Sequence, residues 1–289
     1  MGDHAAKAAD QMKKAEKTVN SWSLFSNKYE DAAELLEKAA NNFKLAKLWE
    51  EAGAAYLKLG ECHKKLDSKH ELASSFVDAA NSYKKTNPTQ SVVCLERAID
   101  AFTDLGRLSL AAKHHKDIAE MLESEGKSEK AMFHYEQAAE LYEGEEQVST
   151  ANTCKLKVAQ FAAQMDLYPK AIEIFESVAL ASLDNNLLKY SVKTYLLNAG
   201  LCQLCRNDMV AVHNAVDRYQ EMDPAFGSTR ECKLLADLAQ AMEEGDVQQF
   251  TTVVAEFDSL SRLDSWKTSV LLTAKKLVAS REGGAEDLT

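Results

Sequence analysis

Four apolar positions spaced three, four and three residues apart recur along this chain in steps of 18 to 21 residues. That spacing draws one stripe down an α-helix. The series opens with Ala33-Leu36-Ala40-Phe43, Ala52-Ala55-Leu59-Cys62 and Ala73-Phe76-Ala80-Tyr83. It continues, for example, through Ala112-His115-Ala119-Leu122, Val192-Tyr195-Ala199-Cys202 and Cys232-Leu235-Ala239-Met242, and ends at Phe250-Val253-Phe257-Leu260. Of the 48 positions in twelve units, only His115 and Ser182 are not apolar. A chain that is 46% hydrophobic would fill about 22 of them by chance. Alanine occupies the third slot in seven units, where a small side chain lets a neighbouring helix approach closely.

Each unit is therefore one helix and a turn, and two units make a hairpin of about 40 residues, stacked by the logic of tetratricopeptide (TPR) repeats. Turn signals fall where that scheme needs them: Thr86-Asn87-Pro88, Leu105-Gly106-Arg107, Glu125-Gly126-Lys127, Asp223-Pro224, and a loop over residues 183–186. The expected fold is all-α: a right-handed superhelical solenoid of TPR-like antiparallel helix hairpins with a C-terminal helical bundle. One domain covers residues 1–289. It divides into an N-terminal helix and apolar loop (1–28), the hairpin solenoid (29–245), the C-terminal bundle (246–281) and a flexible acidic tail (282–289). With 3 Pro and 11 Gly the chain is poorly suited to a strand-rich fold. Stacks of this kind leave an extended surface that serves binding.

A formal net charge of -11 argues against a general nucleic-acid or anionic-membrane binder. The polar start and the lack of any apolar run of about 18 residues give no sign of a secretory leader or a membrane span. Six scattered Cys in a chain of this size fit a reducing cytosol.

Catalytic signals are weak. Cys202-Gln-Leu-Cys205 is a CxxC inside a helical stripe, without the further ligands of a zinc site or the strand–helix context of a redox motif, so it reads as packing. His114-His115 has no metal-motif partners, and His115 falls in a core slot. No phosphate-binding glycine loop or nucleophile elbow is present. The chain is expected to be no enzyme and to need no metal or cofactor. Three features point to binding instead. Trp22, Leu24 and Phe25 cluster in a loop. Lys113, Lys193 and Lys233 each follow the first slot of alternate units, which places them on one face. Acids collect toward the C-terminal end at Glu243, Glu244, Asp246, Glu286 and Asp287.

Several stretches carry a resemblance across nearly the whole chain: Phe43-Lys-Leu-Ala-Lys47-Leu-Trp49, Asp104-Leu-Gly-Arg107, His134-Tyr-Glu-Gln-Ala138, Ser228-Thr-Arg-Glu-Cys-Lys-Leu234 and Phe257-Asp-Ser-Leu-Ser-Arg-Leu-Asp-Ser-Trp266. The chain resembles the soluble NSF attachment protein (SNAP) family, in a plant form with an alpha-like Trp266 region. The resemblance implies an adaptor in vesicle-mediated transport. Several copies wrap an assembled SNARE four-helix bundle and recruit the hexameric ATPase NSF, which takes the bundle apart after membrane fusion. The implied SNARE-binding residues are Lys47, Lys84, Arg107, Lys113, Lys157, Lys193 and Arg230; a further family lysine falls on Thr153, so that contact is either weakened or moved to Lys155. The implied NSF-binding residues are Glu243, Glu244, Asp287 and Leu288, with Gln240 standing where the family has an acid. Trp22, Leu24 and Phe25 correspond to a membrane-contacting loop. The implied location is cytoplasmic with peripheral membrane association, with no nucleic acid and no small-molecule substrate. The competing expectation is another helical-repeat scaffold that binds peptide partners.

Overall fold

The structure is a computed structural model that describes residues 2–21, 28–185 and 187–286. Among these residues there are fourteen α-helices and no strand. The chain splits into two compact units, Met1–Ala151 and Asn152–Thr289. The first holds α1 (Gly2–Asn20), α2 (Lys28–Leu45), α3 (Trp49–Lys65), α4 (Lys69–Tyr83), α5 (Pro88–Asp104), α6 (Leu108–Ser124) and α7 (Ser128–Gly144). The boundary falls inside α8 (Val148–Gln164). The second unit continues with α9 (Tyr168–Leu183), α10 (Val192–Cys205), α11 (Met209–Met222), α12 (Arg230–Glu244), α13 (Val247–Leu260) and α14 (Ser265–Glu286).

In the first unit every helix packs on the next, from α1 on α2 to α6 on α7. Helices two apart also meet: Lys58 of α3 pairs with Glu16 of α1, and Arg97 of α5 with Glu61 of α3 at 3.0 Å. This is the stacked-hairpin arrangement that the repeat calls for. The alanines at the close approaches, Ala40, Ala80 and Ala119, are buried, and each has a buried neighbour in Ala39, Ala79 or Ile118. The buried face is thus wider than one stripe, because a helix inside a stack touches partners on both sides.

The turns repeat as faithfully as the helices. Lys47, Asp67, Gly106, Gly126, Glu146, Asp166, Asn207 and Gly245 all have positive φ, between 55° and 72°. At seven of these turns the following N–H reaches back to the carbonyl five residues earlier, as in Leu48 to Phe43 (2.9 Å), Arg107 to Phe102 (2.8 Å) and Gln147 to Tyr142 (2.8 Å). Such a left-handed residue followed by a six-to-one bond is a Schellman termination. One residue reverses the chain, and the next begins another helix. The α4–α5 turn differs: Asn87 caps α5 by accepting from Gln90 N–H, and Pro88 opens the helix.

In the second unit α10 packs on α9, α11 and α12, and α14 folds back onto α10. Trp266 anchors α14: its indole N–H donates to the Gln160 carbonyl (3.0 Å) and its ring meets Phe175 edge-on at 5.5 Å. With α14 drawn to α10, the outer part of α13 stays open. Of its four stripe positions Phe250 is buried, Val253 and Phe257 are half-buried, and Leu260 is exposed. α14 runs to Glu286, so five residues of the segment expected as a tail, 282–286, are helical.

Candidate partner-binding surfaces

Three of the four implied cations of the first unit sit at helix-connecting turns. Lys47 is itself the left-handed residue between α2 and α3, with φ 60°. Lys84 ends α4, its N–H donating to the Ala80 carbonyl at 2.8 Å. In an antiparallel stack the α2–α3 and α4–α5 turns share one edge, which brings Lys47 and Lys84 to the same side. Arg107 lies in the α5–α6 turn on the opposite edge. There Ser109 accepts from Gln147 (2.8 Å) and donates to Glu145 (2.9 Å), tying that turn to the one after α7. Lys113 stands on the outer face of α6, exposed, with no ion pair among the described residues.

In the second unit Lys157 is half-buried on α8. Lys193 pairs with a residue that periodicity did not single out. Lys193 Nζ lies 3.1 Å from Glu231 Oε1, and Glu231 directly follows Arg230. Lys233, one turn along α12, joins Arg230, Asp237 and Glu256 in lining a groove of about 160 Å³ with Leu234, Val253, Phe257 and Leu260. The aromatic and aliphatic side chains of α13 that escaped full burial therefore line a groove of mixed charge, with two cations and two carboxylates. The neighbouring family position Thr153 is exposed, and Lys155 is half-buried.

Glu243 and Glu244 are exposed in the last turn of α12. Carboxylates there face the negative end of the helix dipole, at a cost of about 0.3–1 kcal/mol each. Local contacts offset part of it. His213 Nε2 lies 2.9 Å from Glu243, and Gln240 donates to Glu244 at 2.8 Å. Asp287 and Leu288, like Trp22, Leu24 and Phe25, lie outside the described residues.

The other singled-out residues are structural. Cys202 and Cys205 are buried in the last turn of α10, and Cys205 Sγ contacts the Val270 carbonyl at 3.4 Å. Burial first, then the neighbouring Cys205, raises the Cys202 thiol; burial pushes Cys205 up to about 11. Neither is a ready thiolate. The histidines correct the one-stripe reading: His114 is the buried one, stacked on Phe102 at 5.6 Å, whereas His115 is half-buried. His115 Nδ1 lies 3.0 Å from His134 Nδ1, and burial, then the His134 charge, lowers His115 to about 4. Among the described residues no group of three His, Cys, Asp or Glu is placed to hold a metal ion.

The family model described as "Soluble NSF attachment protein, SNAP" matches residues 6–279. The chain belongs to the SNAP family. An alpha-soluble NSF attachment protein of Vitis vinifera is 52% identical over 289 residues, covering 100% of each chain. One of Mus musculus is 47% identical, covering 99% of each. A probable vesicular-fusion protein sec17 homolog of Schizosaccharomyces pombe is 41% identical over 96% of each. A beta-soluble NSF attachment protein of Bos taurus is 47% identical as well, so overall identity does not separate alpha from beta. The SNAP relationship spans both compact units and therefore every candidate surface described here.

Proposed function

We propose that this chain is an adaptor in vesicle fusion that binds assembled SNARE bundles and recruits the ATPase NSF for their disassembly, with no catalysis of its own. The observation that carries this reading is the family match over residues 6–279 joined to the surface chemistry. Six of the seven implied cations are exposed, and the acids Glu243 and Glu244 are held exposed where helix stability disfavours them. Cationic side chains steer and hold an acidic bundle with salt-sensitive affinity. A single exposed pair contributes only about 0.2–1 kcal/mol, so several cations and several copies must act together. Glu243 and Glu244, with Asp287 and Leu288, form the NSF-facing end. Trp22, Leu24 and Phe25 add a peripheral membrane contact that raises local concentration. No described helix is long and apolar enough to cross a membrane.

The test is a pull-down of the full chain on an assembled SNARE bundle at low and high salt, followed by addition of NSF. Lys113→Glu should weaken bundle binding at low salt. Deletion of residues 287–289 should leave bundle binding intact and impair NSF recruitment. A folded wild type that ignores the bundle at every salt would overturn the proposal.

A further inference from the structure

Lys193 and Glu231 meet where α10 and α12 begin, and the pair is lopsided. The lysine side chain is 47% exposed, the glutamate 11%. The carboxylate sits in the first turn of α12, which favours it through the helix dipole. It lies between Arg230 and Lys233 in the chain, so a buried anion sits among cations. We propose that Glu231 is an attenuating residue: it holds the Lys193 ammonium in the unbound protein and competes for it with an acidic partner. This rests on the adaptor function above only in naming that partner as the SNARE bundle.

The physical reason is the asymmetry. An acidic group approaching Lys193 meets an ion pair rather than a bare cation, and attraction to a pair falls off faster with distance than attraction to one charge. If the ammonium turns fully to the partner, the nearly buried Glu231 loses its counter-charge, which is costly for a desolvated carboxylate. Lys113, exposed and without an ion pair among the described residues, has no such competitor. Two lysines in the same register of their repeats thus contribute unequally. Glu231 acts through Lys193, as a positioning residue, and keeps the hold of each copy weak in an assembly that draws its strength from several copies.

The experiment uses the full chain as wild type, Glu231→Gln, Glu231→Asp, Lys193→Met and Lys193→Met/Glu231→Gln, each checked by thermal melting. Binding is measured to the assembled bundle and, in parallel, to poly-L-glutamate, at about 50 mM and about 0.5 M salt. Glu231→Gln should bind both probes about three- to fivefold tighter at low salt, with a steeper salt dependence, and Glu231→Asp should stay near wild type. The gain should vanish in the Lys193→Met background. An unchanged or weakened affinity of a well-folded Glu231→Gln for poly-L-glutamate overturns the inference, as does a gain that survives Lys193→Met. Tightening on poly-L-glutamate with no binding of the bundle by any variant would sustain the inference and remove the adaptor function.

Discussion

Acidification should loosen the α6–α7 contact through one histidine pair. His115 and His134 face each other Nδ1 to Nδ1 at 3.0 Å, with ring centroids 5.3 Å apart. One neutral ring donates and the other accepts. That bond survives a proton on the donor ring's outer nitrogen but not a second proton on the acceptor. Burial lowers His115 from 6.5 to about 4 and lowers His134 as well. The folded value lies below the unfolded one, so the unfolded chain binds more protons between pH 6.5 and 4. The contribution is complete above about pH 6.5 and is lost as pH falls toward 4. At pH 5 His115 alone would cost about 2 kcal/mol, and its partial exposure halves this to about 1 kcal/mol. Hydrogen exchange of peptides from α6 and α7 at pH 7 and 5, corrected for intrinsic rates, reads that loss. His115→Gln keeps a hydrogen-bonding side chain beside His134 and does not titrate, so its loss should be smaller by about 1 kcal/mol. Equal losses in the two proteins, or a His115 titration midpoint near 6.5 by NMR, would refute the reasoning.

Glu146 occupies the left-handed region at φ 57°, so Glu146→Gly should raise stability by about 0.5–1 kcal/mol after the glycine's greater unfolded-state freedom is counted, seen as a higher denaturation midpoint. A Cβ on Gly53 would lie 2.6 Å from the Tyr83 ring, so Gly53→Ala should destabilise by about 1–3 kcal/mol in the same assay; a neutral result would mean that α3 and α4 are not so close. Glu243→Gln/Glu244→Gln should gain about 0.5 kcal/mol in α12 while losing NSF recruitment, and a variant that recruits normally would separate these acids from the NSF-facing end.

The helices were legible because the core obeys one spacing. Ala33-Leu36-Ala40-Phe43 and Cys232-Leu235-Ala239-Met242 are buried in full, and the turn signals at Asn87-Pro88, Gly106 and Gly126 mark real helix ends. The reading failed where a single stripe is too narrow an idea. A helix between two neighbours buries a second row, so His114 entered the core and His115 did not. The left-handed residues Lys47, Asp67, Glu146 and Asp166 were invisible because none is glycine, although the period predicts a turn at each. α1, which begins at Gly2, lies outside the repeat, since its early turns bury only small residues such as Ala8. The cationic positions came mostly from family resemblance; spacing alone offered Lys113, Lys193 and Lys233. Nothing local marks Glu231 as the partner of Lys193, because the two meet only when α10 packs on α12.

Some of the places where this chain departs from good local design fall on its candidate surfaces. Lys47 holds a backbone conformation that a glycine would adopt without strain. Glu243 and Glu244 sit at the wrong pole of α12, and Val253, Phe257 and Leu260 keep a core stripe open to solvent. Asp67, Glu146, Asp166 and Asn207 hold the same left-handed turn position outside any candidate surface, whereas Gly106 and Gly126 fill it without strain and the stripe positions of α12 are buried apolar side chains. A repeat protein exposes these departures because each unit states the local rule again for comparison. Redundant core contacts from eleven other units absorb the cost of a strained turn or an open groove, which a small single-core domain would bear in full. The stack therefore supplies stability in many small, repeated portions and leaves turns, helix ends and one apolar face free to be shaped by partners.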